Sequence, residues 1–582
     1  MFFLPRSRSE QTALAEQVSG RILPNRSDVV AFALVIGAIA LAAHGFAGMH
    51  APLSTLSRAP VDLDIARLPE YGLRTTLRMF AAMIASLLFT FVVATLAAKN
   101  RRAESIIVPA LDILQSVPVL GFLSFTVTFF LGLFPGSVLG PECASIFAIF
   151  TAQAWNMAFS FYQSLRTIPS DLDEVSRSFG FSAWQRFWRL EAPFATPGLV
   201  WNMMMSMSGS WFFVVASEAI TVGNTSIALP GIGSYLALAI QRQNFSAVGW
   251  AVLAMAVLIG LYDQLLFRPI VAWADKFRFE QTAGGAVERS WLHALLRRTR
   301  LVKHLSAPFE WMSAGLMRTL ALRPRQSARP TTPPSRTADV LWNVLLGALV
   351  LAGAWSAFAY VRQTLGLHDL GVAFAAGLAT LLRVAVLIGL ASVIWVPLGV
   401  WIGLRPTLAR KLQPLAQFLA AFPANVLFPV AVVAIVATRA NPDIWLSPLM
   451  VLGTQWYILF NVIAGASAFP NDLRDVATVY RLRSWTWWRR VILPGIFPYY
   501  ITGALTASGG SWNASIVAEY ADWGKTHVEA FGLGAYIARA TADGNYQKVV
   551  LGIAVMSLLV TVFNRLVWRP LYVYAERRMR MN

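Results

Sequence analysis

A single cysteine, Cys143, and six histidines are all the soft metal ligands of these 582 residues besides methionine. One thiol closes no internal disulfide, and without a Cys/His cluster neither structural zinc nor dithiol redox chemistry has a footing. The chain also has no Gly-x4-Gly-Lys-Ser/Thr run, so it lacks the phosphate cradle of a P-loop ATPase. Charge is scarce too: 13% of residues are Asp, Glu, Lys or Arg, against about 25% in soluble domains.

Apolar residues fill the space that charge leaves. They make up 57% of the chain, mean hydropathy is +0.57, and they come in runs such as Val29 to Gly48, Thr196 to Val222, Ala247 to Phe267 and Val549 to Val567. Each run approaches the ~20 residues a helix needs to cross a hydrocarbon core. In lipid the backbone must satisfy its own hydrogen bonds, which favours helices over open strands. The expectation is an all-α polytopic membrane protein.

The net charge of +19 raises the question of nucleic acid, and its placement answers it. Basic residues gather in short segments between apolar runs: Lys99 to Arg102, Arg166 to Arg189, Arg405 to Lys411, and Arg474 to Arg490. The alternate connections, such as Phe134 to Cys143, are nearly free of them. That alternation is the positive-inside pattern of a membrane protein, and it excludes a nucleic-acid partner. It puts the basic loops and both termini (Arg6, Arg8, Arg21 and Arg26; Arg577, Arg578 and Arg580) in the cytoplasm. The first apolar run is too long, and wrongly flanked, for a cleaved signal peptide, so it is read as an anchor.

The runs predict helices near 29–48, 73–98, 106–133, 144–165, 196–221 and 247–268, then near 338–361, 374–404, 412–437, 443–467, 498–520 and 548–569. Two six-helix halves, 1–273 and 338–582, thus flank a basic linker, 274–337. The linker reads as a cytoplasmic tether whose Trp291 to Leu305 portion has the pattern of an interfacial helix. The halves repeat. One constant separation pairs Arg78 with Arg383, Pro109 with Pro414 and Pro118 with Pro423. A second pairs Trp155 with Trp456, Pro169 with Pro470, Trp184 with Trp485, Pro193 with Pro494, Trp211 with Trp512, Glu218 with Glu519, and Gly231/Gly233 with Gly532/Gly534. An even helix number inserts both halves the same way up, a parallel repeat around a central path.

Each half carries a long basic loop before its fifth helix. The first runs from Pro169 through Glu174, Val175, Ser176, then Gly180 and Trp184, to Leu190-Glu-Ala-Pro193. The second runs from Pro470 through Asp475, Val476, Ala477, then Arg481 and Trp485, to Val491-Ile-Leu-Pro494. Acidic residues at a helix start suit its dipole, a glycine permits a sharp turn, and proline resets the chain for the next helix. The spacing resembles the EAA loop of binding-protein-dependent ABC importer permeases: Glu-Ala-Ala, three residues, Gly, nine residues, Ile, one residue, Leu-Pro. Two departures stand out, Arg481 in place of the glycine and Ala192-Pro193 in place of Leu-Pro, so the two docking contacts are expected to be inequivalent.

Further signatures are Arg78 and Arg383 in the second helices, Trp211 to Glu218 and Trp512 to Glu519, and the following Gly-hydrophobic-Gly triplets. Together these look like the nitrate/sulfonate/taurine/bicarbonate branch, over roughly 70–270 and 374–572. The resemblance implies a type I importer permease in the bacterial inner membrane, with no catalysis or cofactor in this chain. ATP and magnesium would be bound by a separate ABC ATPase subunit dimer, and a periplasmic or lipid-anchored solute-binding protein would deliver a small-molecule substrate. The alternatives are a fused iron(III)-type permease, a secondary transporter with two six-helix repeats, and an exporter; the paired loops argue against the last two.

Ionisable groups within apolar helices are functional candidates by default. Arg78 with Glu218, and Arg383 with Glu519, fall at equal depth and read as gate, substrate-contact or structural pairs. Asn202, Trp211, Trp512 and Asn513 are pathway candidates. The run Met203 to Met207 suggests soft-metal passage, but its partner segment holds no methionine and Met is a common gap-filler.

Overall fold

The computed structural model describes residues 60–116, 123–222, 225–277, 290–298, 336–467, 469, 477–482 and 484–578, with scattered positions between 33 and 56. Its first half runs as α1 (Leu68–Lys99), α2 (Arg101–Ser116), α3 (Leu123–Leu133), α4 (Leu139–Arg166) and a short α5 (Ser170–Ser178). It continues as α6 (Ala183–Glu218), strands β1 (Ala219–Val222) and β2 (Thr225–Ala228), α7 (Ile232–Gln241) and α8 (Phe245–Ala274). The linker contributes α9 (Trp291–Arg298) within the segment expected to be helical. The second half opens with α10 (Arg336–Arg362) and repeats the plan: α11 (Leu367–Gly403), α12 (Pro406–Ala421), α13 (Phe428–Thr438), α14 (Pro442–Leu452) and α15 (Gln455–Ser467). Then come α16 (Ser484–Ala518), β3 (Tyr520–Trp523), β4 (Thr526–Glu529), α17 (Leu533–Ala542) and α18 (Tyr546–Ala575).

Seven described helices are long and apolar enough to cross a membrane, or nine if each of two bent pairs is one span. The expected helix at 29–48 lies largely outside the described residues, as do Pro118, Pro470 and Asp475. Three expectations need correction. The third helix of the second half is no straight rod: α12 and α13 meet at 72° around Pro423, which has no N–H to continue a helix. The fourth bends by 44° between α14 and α15. The fifth helices stop earlier than hydropathy implies, at Glu218 and Ala518, and each continues into an antiparallel hairpin. The strands are only four residues long, too short for a period-two pattern to stand out, and β1 (Ala-Ile-Thr-Val) continues the apolar run of the helix before it.

Packing follows from the small residues. α4 lies against α1 and α6, and α15 against α11 and α16, through contacts that include the wholly buried Ala82, Ala94, Ala144, Ala154 and Ala158. Lipid offers no hydrophobic drive for helix association, so close backbone approach and dispersion must supply it. On α11, Gly399 and Gly403 meet Val462 and Ala466 of α15 so closely that added β-carbons would lie 2.8 and 2.7 Å from their side chains.

The halves join at the hairpin end. Gly524, in the β3–β4 turn, donates its N–H to the Ile240 carbonyl of α7 (3.1 Å). Gln243 Nε2 donates to the Trp523 carbonyl (3.1 Å), and the Trp523 ring sits 4.3 Å from that of Phe245.

Candidate functional site

Charge is concentrated where α1, α4, α6 and the start of α7 converge. Arg78 on α1 donates from Nε and Nη2 to the Glu142 carboxylate at the start of α4 (2.5 and 2.7 Å), and from Nη1 to Glu218 Oε1 at the end of α6 (2.6 Å). All three side chains are fully buried. Glu218 also accepts from the Thr75 hydroxyl (2.7 Å) and the Gly233 N–H (2.6 Å). The Thr75 oxygen in turn accepts from the Ile232 N–H (3.0 Å). The glycine spacing now has a cause: a β-carbon at Gly231 would lie 2.2 Å from the Glu218 carboxylate, and one at Gly233 2.8 Å from the Val215 backbone.

The second half repeats this cluster with a wetter edge. Arg383 donates to Glu519 (3.0 Å) and Asp443 (2.8 Å), while Glu519 accepts from Thr380 (2.8 Å) and the Gly534 N–H (2.8 Å). Asp443 is one methylene shorter than its counterpart Glu142, and its side chain is 48% exposed. It also accepts from the Phe531 N–H (2.7 Å), and Arg383 donates to the Phe531 carbonyl (2.9 Å). Both pairs that the sequence brought to equal depth are therefore in contact. Sequence reasoning missed the third member, Glu142 or Asp443, and the bridging Thr75 or Thr380. The signal was present: Glu142 and Asp443 fall at the separation that pairs Trp155 with Trp456, and Thr75 and Thr380 at that of Arg78 and Arg383.

At the opposite, basic end, α5 carries Asp171 and Asp173 in its first turn, where the helix dipole favours them. Gly180 ends it at φ +66°, and Ser182 caps the next helix in a reciprocal box with Gln185. Glu174, Val175, Phe179 and Trp184 are exposed together. Beneath them a chain of ion pairs fixes the loop: Arg186 to Asp173 (2.7 Å), Arg186 to Glu191 (3.0 Å), and Glu191 to Lys99 at the end of α1 (2.8 Å). The chain then passes through a π-helical turn, Phe187–Glu191, before Ala192 and Pro193 resume the α-helix.

In the second loop Ala477 is buried while Val479, Tyr480 and Trp485 are exposed. Arg481 takes φ +51°, the left-handed conformation of its counterpart Gly180. The substitution thus keeps the turn, at the ~1–2 kcal/mol a side chain pays there. A π-helical turn, Trp488–Ile492, again precedes Pro494. The ion-pair chain is not repeated: Ile492 stands where Glu191 does, and Trp487 where Arg186 does.

Between the halves lies a cavity of about 130 Å³ bounded by α2, α4 and α6 on one side and α12 and α14–α16 on the other. Among the described residues no acidic or basic side chain lines it; amides, hydroxyls and aromatic rings do, among them Asn156, Thr454, Tyr457 and Phe212. Asn513 is in the lining. Asn202 is not: its amide donates within the first half, to Ser160 (2.8 Å) and the Gly198 carbonyl (3.1 Å). Trp211 and Trp512 are buried in the bodies of their halves, Trp211 edge-on to Tyr262. Met204 and Met207 border a second, largely apolar cavity of about 310 Å³ with Trp211, Phe267 and Phe418. Among the described residues no cluster of three His, Cys, Asp or Glu is placed to hold a metal.

The family model described as "binding-protein-dependent transport system inner membrane component" matches the chain twice, over residues 86–267 and 396–580. Similar proteins include the nitrate import permease protein NrtB of Leptolyngbya laminosa, 30% identical over 189 residues, which are 32% of this chain and 64% of that one. The bicarbonate transport system permease protein CmpB of Synechococcus elongatus is 30% identical over 192 residues, 33% of this chain and 65% of that one. The glycine betaine/carnitine transport permease protein GbuB of Listeria monocytogenes is 28% identical over 170 residues, 29% of this chain and 54% of that one. Alignments with the first two thus span just under two thirds of those relatives' length. The chain belongs to the family of binding-protein-dependent transport system inner membrane components, with two copies of its domain in one polypeptide.

Proposed function

We propose that this multi-pass membrane protein of the binding-protein-dependent transport family is a two-half permease of an ATP-driven importer. The halves enclose the path of a small solute, which an extracytoplasmic binding protein presents at the hairpin end. A separate ABC ATPase dimer grips the two basic loops from the cytoplasm and supplies the work. The observation that carries this reading is the pair of matched loops: each leaves aromatic and aliphatic side chains exposed on a short turn that feeds through a π-helical step into α6 or α16. A lever attached there moves the helix that also forms the cavity wall and ends in the charge cluster.

In this reading each charge cluster ties the outer helix ends of its own half into one unit. Unpairing ions in a site of low dielectric is costly, so the halves part as bodies on that side rather than loosening helix by helix. The neutral, hydrogen-bonding cavity suits a small polar solute held by amide and hydroxyl groups. The test is copurification with an ATPase subunit, reconstitution, and hydrolysis measured with candidate binding proteins, with and without solute. Stimulation that vanishes when Glu174 and Asp475 are replaced by arginine supports the reading. Uptake that follows an ion gradient with no ATPase bound overturns it.

A further inference from the structure

The inner cavity breaks the repeat at one place. In the first half Gln115 Nε2 donates to Asn156 Oδ1 (2.9 Å), an amide pair that folds both side chains onto the same wall. The repeat separations put Ala420 opposite Gln115 and Tyr457 opposite Asn156, and both line the cavity. Alanine has nothing to bond with, so the tyrosine has no partner on its own side. It crosses the cavity instead: its hydroxyl lies so near Gly209 of α6, in the other half, that a β-carbon there would be 3.2 Å away. No group among the described residues hydrogen-bonds that hydroxyl, although the ring is held in the wall. The counterpart of Gly209 is Gly510, which meets the methyl of Thr454 from its own half rather than a side chain from across the cavity.

We propose that Tyr457, seated against Gly209, is a one-sided selectivity constriction. A solute must lift the ring away from Gly209 to pass, and the unpaired hydroxyl offers it a hydrogen bond on the way. The mechanism has a physical basis: a phenol carries a donor and an acceptor, and in a neutral lining an unmet hydroxyl rewards a polar solute over an apolar one of equal size. Glycine at 209 leaves room for the seated ring; a β-carbon there would press on the hydroxyl at 3.2 Å, and a side chain longer than alanine would hold the ring off. Fusion of the two halves allows the asymmetry, because each position is free to diverge from its repeat. The inference rests on the cavity being the solute path.

The test uses the full chain with Cys143→Ser, a protease site in the linker, and its ATPase partner. Gly209→Cys with Tyr457→Cys is treated with a bifunctional thiol reagent whose spacer matches the lost ring. After proteolysis the halves should stay joined, and vanadate trapping with ATP should cut the joined fraction at least fivefold. Phe245→Cys with Trp523→Cys, across the hairpin clasp, reports that the halves are assembled. If the clasp pair joins and the 209–457 pair does not, the contact is wrong; if trapping leaves the 209–457 pair unchanged, it is static packing and the constriction is refuted. Thr506→Cys, elsewhere in the lining, separates the two ideas: no labelling by a small hydrophilic thiol reagent in any state removes the path itself, whereas labelling with an unchanged 209–457 pair removes only the constriction.

Discussion

Arg78 is a single guanidinium between two carboxylates, all fully buried, and that count ranks the substitutions. Arg78→Gln leaves Glu142 and Glu218 facing each other without a cation. Breaking a buried ion network in this way costs ~3–5 kcal/mol, and two stranded like charges put it at the upper end. Glu218→Gln is intermediate. Arg78 keeps both bonds to Glu142, but an amide accepts at one atom only, while Thr75, Arg78 and Gly233 all donate to the present carboxylate. One donor is then left facing another, at ~1–3 kcal/mol. Glu142→Gln falls in the same range, because Arg78 Nε and Nη2 donate to its two oxygens and one of them would face the amide NH2, while either Glu→Gln change removes the surplus negative charge. In the second half Asp443→Asn should cost no more than ~1 kcal/mol, since its carboxylate is 48% exposed and water screens the pair. The assay is the loss of monodisperse protein on heating in detergent, followed by size-exclusion chromatography and tryptophan fluorescence. The expected order of midpoints is wild type, then Asp443→Asn, then Glu142→Gln and Glu218→Gln, then Arg78→Gln. Glu142→Gln as damaging as Arg78→Gln would refute the charge count. Exchanging Arg78 and Glu218 should not restore function, because the new carboxylate at 78 would face Glu142.

Gly231→Ala and Gly532→Ala should each expel the cluster carboxylate, since the added methyl would fall 2.2 Å from it; heating midpoints should drop about as far as for Glu218→Gln. Arg481→Gly should stabilise the second loop by ~1 kcal/mol, whereas Gly180→Arg should destabilise the first by a similar amount, because both positions require the left-handed backbone. Phe179→Glu and Trp485→Glu should abolish copurification of an ATPase subunit without moving the heating midpoint, as both side chains are largely exposed. Glu191→Ile, which copies the second half, should make the first loop's ATPase contact less sensitive to salt by removing the ion pairs to Lys99 and Arg186.

The sequence by itself determined the class, the duplication and the register of the functional positions. Apolar runs of bilayer length, the alternation of basic loops and two constant separations survive without tertiary information, because lipid imposes length and polarity directly on the chain. Those separations also pair Glu142 with Asp443 and Thr75 with Thr380, which marks them as repeated polar positions without showing what they touch. Tertiary structure alone decided the rest. Hydropathy sees how apolar a segment is and not whether it turns, so the 72° break at Pro423 and the hairpins after Glu218 and Ala518 stayed hidden. The need for Gly231 and Gly532 comes from a carboxylate thirteen residues earlier folding back against them, a distance no local pattern encodes. The one-sided reach of Tyr457 to Gly209 depends on two halves meeting face to face. A repeat read along the chain shows which positions are equivalent; only the packed dimer of halves shows where equivalence has been given up.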